Sequence, residues 1–266
     1  MIGDFRDRTA LVTGGTMGIG LETALDLAER GARCAVTYKW GTADEDEVYR
    51  RFSDRRASKP LIIRADIGNA DDTTALMEEL RREWERVDIF VNNASVALVV
   101  KDVKDYSLKT FSKAMEYTAW PLFAYVNQIR EYFGGYPRYV IAMSSRGPDS
   151  YAKGYDFVAS AKAALETMCR YMSYQLYDED IRINVVRAGA VRTMSLRDTF
   201  GDFEEFARRF MRDEHYIDAK EVSNCVVALC SGLLDGMRGQ VLTVDRGTAF
   251  LDDLMRLYDD RERLGL

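Results

Sequence analysis

The stretch Ala10-Leu-Val-Thr13-Gly14-Gly-Thr-Met-Gly18-Ile-Gly20 limits the fold more than any other part of the chain. Ala10 to Thr13 is a short apolar run that reads as a buried strand. Glycines follow at once. A helical pattern then begins (Leu21, Ala24, Leu25, Leu27, Ala28) and ends at Gly31. A strand turning on glycines into a helix is the entry to a parallel βα sheet. Such glycines let the backbone approach a pyrophosphate, whose charge suits a helix N-terminus. The spacing is Gly14-x3-Gly18-x-Gly20, not the commoner G-x-G-x-x-G, and a plain turn is the competing reading.

The same alternation continues. Strands are predicted over 33–38, 61–67, 88–91, 139–144, 181–186 and 241–244. Helical patterns at 72–87, 105–132, 155–177 and 219–234 separate them, with Pro121 an expected kink. The acidic run 44–47 opens a further helix, where negative charge suits the dipole. Seven strands alternating with helices imply an α/β fold: one doubly wound Rossmann-type domain over 1–266, a seven-stranded parallel sheet with helices on both faces. Ligand belongs at the carboxyl ends of the strands, where their order reverses.

Composition removes other classes. Apolar residues are 47% of 266, enough for a large core, and the 30% charged residues are intermixed, which argues against disorder. A net charge of −6 argues against nucleic acid as the main partner. No uncharged run reaches the ~18 residues of a membrane span. The N-terminus has no apolar signal core, so a cytoplasmic protein is expected. Cys34, Cys169, Cys225 and Cys230 are scattered and His215 is the single histidine, so no metal site is expected.

Two features point to chemistry. Tyr155 and Lys162 stand seven apart at the start of a long helix. Lys39 follows the second strand with no acid nearby. An acid there would bind the ribose diol of NAD, whereas a base tolerates a 2′-phosphate, so Lys39 leans to NADPH over NADH. A merely solvated lysine is the alternative.

In order and spacing, Thr13 to Gly20, Asp66-Ile67, Asp88-Ile-Phe-Val-Asn-Asn-Ala94, Ser144-Ser145, Lys162-Ala-Ala-Leu165, Ile181-Arg-Ile-Asn184 and Val244-Asp245 resemble the short-chain dehydrogenase/reductase family. Most of that family carries its tyrosine four residues before the lysine. Here that position is Val158. Its usual asparagine after the fourth strand is not evident either, with Thr118 the nearest candidate. Tyr155 with Lys162 instead resembles the enoyl-acyl carrier protein reductases, where the tyrosine precedes the lysine by seven. The run Ser144 to Tyr155, with Tyr151 and the Asn-Asn-Ala turn, resembles their type III group.

The resemblance implies catalytic roles for Tyr155 and Lys162, with Ser145 and Tyr151 as further hydrogen-bonding residues. It implies cofactor contacts from Gly14, Thr16, Gly18, Ile19, Gly20, Lys39, Trp40, Asp66, Ile67, Asn93, Ala94, Ser95, Lys162, Val191 and Thr193. The expected reaction is NADPH-dependent reduction of an acyl thioester, on an acyl carrier protein or a related carrier. Hydride goes to the β carbon, and charge builds on the thioester oxygen several bonds away. A tyrosine moved to the helix start puts its hydroxyl farther out, where that oxyanion lies. A keto or hydroxy reductase with a shifted tyrosine, and a non-catalytic dinucleotide-binding member, are the alternatives. Val158, Met17 and Arg246, which replaces a family glycine, support the last.

Two regional expectations complete the reading. Apolar and small residues on several faces of the helices at 105–132 and 155–177 predict a homo-oligomer, dimer or tetramer. Residues 194–215 carry Phe203, Phe206, Phe210 and Met211 at helical spacing, with Arg208, Arg209 and Arg212 clustered at the C-terminal end of that stripe. They read either as a capped surface helix or as a substrate lid hinged at Gly201, its arginines meeting an acidic carrier protein.

Overall fold

Strands β1 (Thr9–Val12) and β4 (Ile89–Asn92) are buried at every position, as strands covered on both faces must be. Five more complete the sheet: β2 (Arg33–Tyr38), β3 (Leu61–Arg64), β5 (Tyr139–Ser145), β6 (Arg182–Ala188) and β7 (Val241–Val244). All pair in parallel, in the order β3-β2-β1-β4-β5-β6-β7. The order reverses between β1 and β4, which opens the expected crevice at their carboxyl ends. The computed structural model describes residues 3–39, 44–193, 196 and 201–266, except the side chains of residues 203 and 204.

Helices cover both faces. On one side α1 (Gly18–Glu29), α2 (Glu45–Asp54) and the later helix α8 (Ala219–Cys230) pack on Ala10, Val12, Ile141 and Val186. On the other, α3 (Ala70–Glu83), α5 (Trp120–Phe133) and α6 (Asp156–Gln175) pack on Leu11, Phe90, Val140 and Ile183. The fully buried Asp26 of α1 joins three helices. Its carboxylate accepts from Ser223 at 2.5 Å and Arg55 at 2.8 Å, and pairs with Lys220. Several partners are what a buried carboxylate requires. Among the described residues no helix is long and apolar enough to cross a membrane. All four cysteines are free thiols.

Several boundaries differ from the sequence reading, for local reasons. The helix expected over 105–132 is two, α4 (Leu108–Thr118) and α5, broken at Ala119. Pro121 falls in the first turn of α5, where its missing N–H is not needed, so it starts a helix rather than kinking one. α3 begins at Ala70, two residues early, because Asn69 Oδ1 accepts from the backbone of Asp71 and Asp72. β3 stops at Arg64 rather than 67, since Asp66 turns the chain by accepting from Gly68 N at 3.0 Å. Asp44 caps α2 through Glu47 N at 3.0 Å, as the acidic run foretells.

Candidate active site

The crevice is stitched by Thr13 and Asn93. Asn93 Nδ2 donates to Thr13 O at 2.9 Å and Gly14 O at 3.0 Å. Thr13 Oγ1 accepts from the backbone of Asn93 and Ala94. Gly14 and Gly18 take left-handed φ of 61° and 56°. A Cβ on Gly20 would stand 2.4 Å from Gly14 O, so the α1 turn is compact because Gly20 has no side chain. Met17, at the N-cap, gives no side-chain cap, which leaves the first N–H groups of α1 open to an anion. Thr193 lies beside Gly18, and Ser95 Oγ bonds Thr118 Oγ1 at 3.0 Å. This cradle fits a dinucleotide pyrophosphate. Val191 is buried at the start of the following segment and bridges Ile217.

Lys39 is engaged rather than solvated. Its ammonium pairs with Asp66, donates to Tyr117 Oη at 2.9 Å and lies 4.6 Å from that ring's centre. Tyr117 Oη also donates to Asp66 at 3.2 Å. Burial would raise the Asp66 carboxyl, but Lys39 and the Gly68 N–H outweigh it and hold it below its ordinary value. A Cβ on Gly68 would meet the Tyr117 ring at 2.6 Å, so that glycine seats the ring. Trp40 lies outside the described residues.

Tyr155 is the N-cap of α6, and Lys162 follows two turns later on the same stripe. Tyr155 Oη donates to Ser145 Oγ at 3.2 Å. Lys162 Nζ donates to Met143 O at 2.7 Å. Burial pushes the Tyr155 phenol above its ordinary value, with the Ser145 bond opposing, so the site holds it as a proton donor. Burial likewise pushes Lys162 down to about 8, with Glu166 opposing. Val158 is buried among core residues, which removes the ordinary tyrosine position from the chemistry. Tyr151 is 87% exposed. It shares an open groove of about 220 Å³ with Tyr155 but makes no hydrogen bond to Ser145 or Lys162.

Gly147 admits the Tyr155 ring: a Cβ there would stand 2.8 Å from Tyr155 Cε1 and 3.0 Å from Ala159 Cβ. Gly147→Ala should therefore displace the phenol, at a cost of roughly 1–3 kcal/mol from overpacking. Turnover should fall about tenfold or more, with cofactor affinity kept. Steady-state kinetics beside a melting curve would check this, and unchanged turnover would contradict the fit.

A family model described as enoyl-(acyl carrier protein) reductase matches residues 14–249. The chain is a short-chain dehydrogenase/reductase. It is 27% identical over 256 residues to the NADH-dependent enoyl-[acyl-carrier-protein] reductase of Aquifex aeolicus, covering 92% of this chain and 93% of that one. The solved Aquifex structure superposes with a TM-score of 0.81 over 94% of this chain and 99% of that one, at 25% identity. A 1-cyclohexenylcarbonyl-CoA reductase of Streptomyces collinus is 28% identical over 191 residues, 72% of this chain and 67% of that one. A trihydroxynaphthalene reductase of Colletotrichum orbiculare is 26% identical over 196 residues, 74% and 69%. Membership makes the protein an oxidoreductase that uses a nicotinamide dinucleotide.

Two departures of this dehydrogenase/reductase have structural accounts. Arg246, in place of the family glycine, keeps the left-handed backbone with φ 53°. Its guanidinium donates twice to the Glu221 carboxylate at 2.9 and 2.7 Å and once to Glu214 O at 3.0 Å, contacts that offset the strain. The segment expected as a lid contains helix α7 (Phe203–Phe210), with the Phe206 and Phe210 rings 4.9 Å apart. Residues 194, 195 and 197–200 and the Phe203 side chain lie outside the described residues. Arg212 does not stand free for a partner: it pairs with the buried Asp260, which also accepts from Arg263 at 2.9 Å. Asp260 lies between the tail helices α9 (Asp253–Asp259) and α10 (Arg261–Leu264), and Arg256 donates to Phe210 O at 2.7 Å. The tail therefore clasps the C-terminal end of α7.

Sequence reasoning missed Glu166, Arg187 and Gly147. Glu166 did carry a signal, as an acid four residues beyond Lys162 on the stripe that faces the sheet. Arg187 sits where a buried strand ends, and only the three-dimensional pairing reveals its partner.

Proposed function

We propose that this short-chain dehydrogenase/reductase reduces the carbon–carbon double bond of an enoyl thioester, with NADPH as donor. The observation that carries the reading is Tyr155, not residue 158, bonded to Ser145 two turns before Lys162. A bound nicotinamide supplies hydride to the β carbon. The chain's task is then to stabilise charge at the thioester oxygen, farther out than a ketone oxygen would lie. Tyr155 keeps its proton through burial and offers it there. Lys162 would hold the cofactor ribose and stabilise the phenolate that proton transfer leaves. The relatives from Aquifex and Streptomyces support a thioester, on a carrier protein or coenzyme A. Oxidation of NADPH by crotonyl-coenzyme A and by acetoacetyl-coenzyme A, side by side, tests the reading. Reduction of the enoyl substrate alone is expected; turnover of the keto substrate alone would replace this reading with a keto reductase, and neither with a non-catalytic dinucleotide binder.

NADPH is proposed because, among the described residues, the carboxylates nearest the end of β2 are engaged: Asp44 caps α2, and Glu45 accepts from Tyr38 Oη at 3.1 Å. A 2′-phosphate would compete with Asp66 for Lys39. Lys39→Ala should lower kcat/KM for NADPH by about tenfold, the worth of one charge-assisted bond, and leave NADH nearly unchanged. A wild-type preference for NADH, the cofactor of the Aquifex relative, would sink the proposal.

A homo-oligomer is proposed from α5 and α6. Trp120, Met168, Tyr171 and Tyr174 are exposed, the last at 80%, and apolar surface of this extent marks an interface. Light scattering at micromolar concentration should give a dimer or tetramer; a monomer would contradict it.

A further inference from the structure

Three consecutive residues at the end of β5 each hold one polar side chain of α6 or its cap. Ser145 accepts from Tyr155, the Met143 carbonyl accepts from Lys162, and Ser144 donates to Glu166 Oε1 at 2.6 Å. Positions 155, 162 and 166 are seven and four residues apart, so they share one stripe. Glu166 is buried and both its oxygens are used: Arg187 Nε donates to Oε1 at 2.7 Å and Arg187 Nη2 to Oε2 at 2.5 Å. Arg187 is registered opposite Ser144 in β6. Its remaining arm pairs with Asp149, in the loop that leads from β5 to Tyr155. One buried carboxylate thus joins α6, β5 and β6, and through Arg187 the loop before Tyr155.

We propose that Glu166 is a positioning residue, clamping Met143–Ser145 against α6 so that the carbonyl and hydroxyl they offer stay within reach of Lys162 and Tyr155. Strand pairing does not need this clamp. The β5–β6 ladder already runs over seven residues, from Tyr139 opposite Arg182 to Ser145 opposite Ala188. What the ladder leaves free is the separation of the strand end from the helix, and the Ser144–Glu166 bond spans that gap. Stability alone is a weak reason for such a pair, since apolar replacements of equal volume are often neutral or stabilising. Glu166 also supplies charge. The charge that acts on Lys162 is Glu166, one turn on along its own helix; Arg187 on β6 pairs with Glu166 and with Asp149 in the loop, while β5 offers Lys162 a carbonyl. Neutralising Glu166 would remove the charge that opposes burial at Lys162, and Lys162 would lose its proton at lower pH.

The role rests on Tyr155 and Lys162 being the reacting pair, so Tyr155→Phe runs as a control. Ser144→Ala removes the clamp but keeps the Glu166–Arg187 pair. It should melt near the wild type and lose about tenfold or more in kcat, measured with NADPH and crotonyl-coenzyme A. Glu166→Gln should move the alkaline limb of the kcat profile to lower pH. The Lys162 ¹³Cε titration in the cofactor-free protein should move the same way. Should Glu166→Gln fold poorly, Glu166→Gln/Arg187→Gln removes the stranded charge: recovered melting with kcat still low supports the role. Wild-type kcat in Ser144→Ala, or an unmoved Lys162 titration in Glu166→Gln, would overturn it. A fully active Tyr155→Phe would overturn the pair, and this role with it. An inactive Tyr155→Phe beside an unimpaired Ser144→Ala would overturn the role alone.

Discussion

Tyr155→Phe is expected to lower turnover by about 10²–10⁴-fold, the range for losing one positioned proton donor at a developing oxyanion. The substitution is clean because the ring has its own support. Gly147 and Ala159 flank the Tyr155 ring and remain in place when the hydroxyl goes. What is lost is the Tyr155–Ser145 bond of 3.2 Å, worth about 1 kcal/mol to stability, so folding should be nearly unaffected. Cofactor affinity should also hold, since the cradle at Gly14, Gly18, Asn93 and Thr193 does not include the phenol. The matched variant is Tyr151→Phe. Tyr151 is exposed and touches neither Ser145 nor Lys162, so its turnover should stay close to the wild type's. Steady-state rates on crotonyl-coenzyme A, with cofactor titration by fluorescence, separate the two tyrosines. An inactive Tyr151→Phe beside an active Tyr155→Phe would exchange their roles.

The fold was legible because its signals are local and repeated. β1 and β4 are short apolar runs that end in glycine or asparagine turns, and such runs are what a doubly covered parallel strand looks like in one dimension. Tyr155 and Lys162 were legible through helical spacing, which puts positions seven apart on one stripe. The break at Ala119 was not, because α4 and α5 are both strongly helical and Pro121 suits a first turn as well as a kink. Lys39 shows a different limit. Its position after β2 is visible, but Asp66 lies 27 residues on and Tyr117, on α4, farther still, and only the folded chain brings the three together. Arg212 shows the same limit. A surface arginine after an apolar helix suggests a partner outside the molecule, yet its acid, Asp260, arrives with the tail. Charge pairs between distant segments carry no periodicity, so patterning cannot find them.

Lys162→Met should abolish most activity while making the protein more stable at neutral pH. Lys162 is buried, and burial brings its ammonium from the ordinary 10.5 to about 8. A depression of that size corresponds to roughly 3 kcal/mol of unfavourable ionisation. Methionine has a similar length and no charge. It forfeits the bond to Met143 O, about 1 kcal/mol, so the expected net gain is roughly 1–3 kcal/mol at pH 7. That should raise the melting temperature by several degrees for a chain of this size. Glu166 keeps Ser144 and Arg187 as partners and is not stranded. The pH dependence has a definite sign. Between pH 8 and 10.5 the unfolded chain binds more protons at this residue than the folded one, so wild-type stability gains from Lys162 as pH rises through that window. The cost is full below pH 8 and gone above 10.5. The advantage of the methionine variant should therefore be largest near neutrality and shrink as pH climbs. Melting curves of both proteins at pH 7 and pH 10, subtracted pairwise, isolate this group from other titrating residues. A variant that melts below the wild type at pH 7 would show that the Met143 and Glu166 contacts outweigh the burial of the charge. Turnover and cofactor affinity should both fall, because the ammonium proposed to hold the ribose and stabilise the Tyr155 phenolate is the same one whose burial weakens the fold.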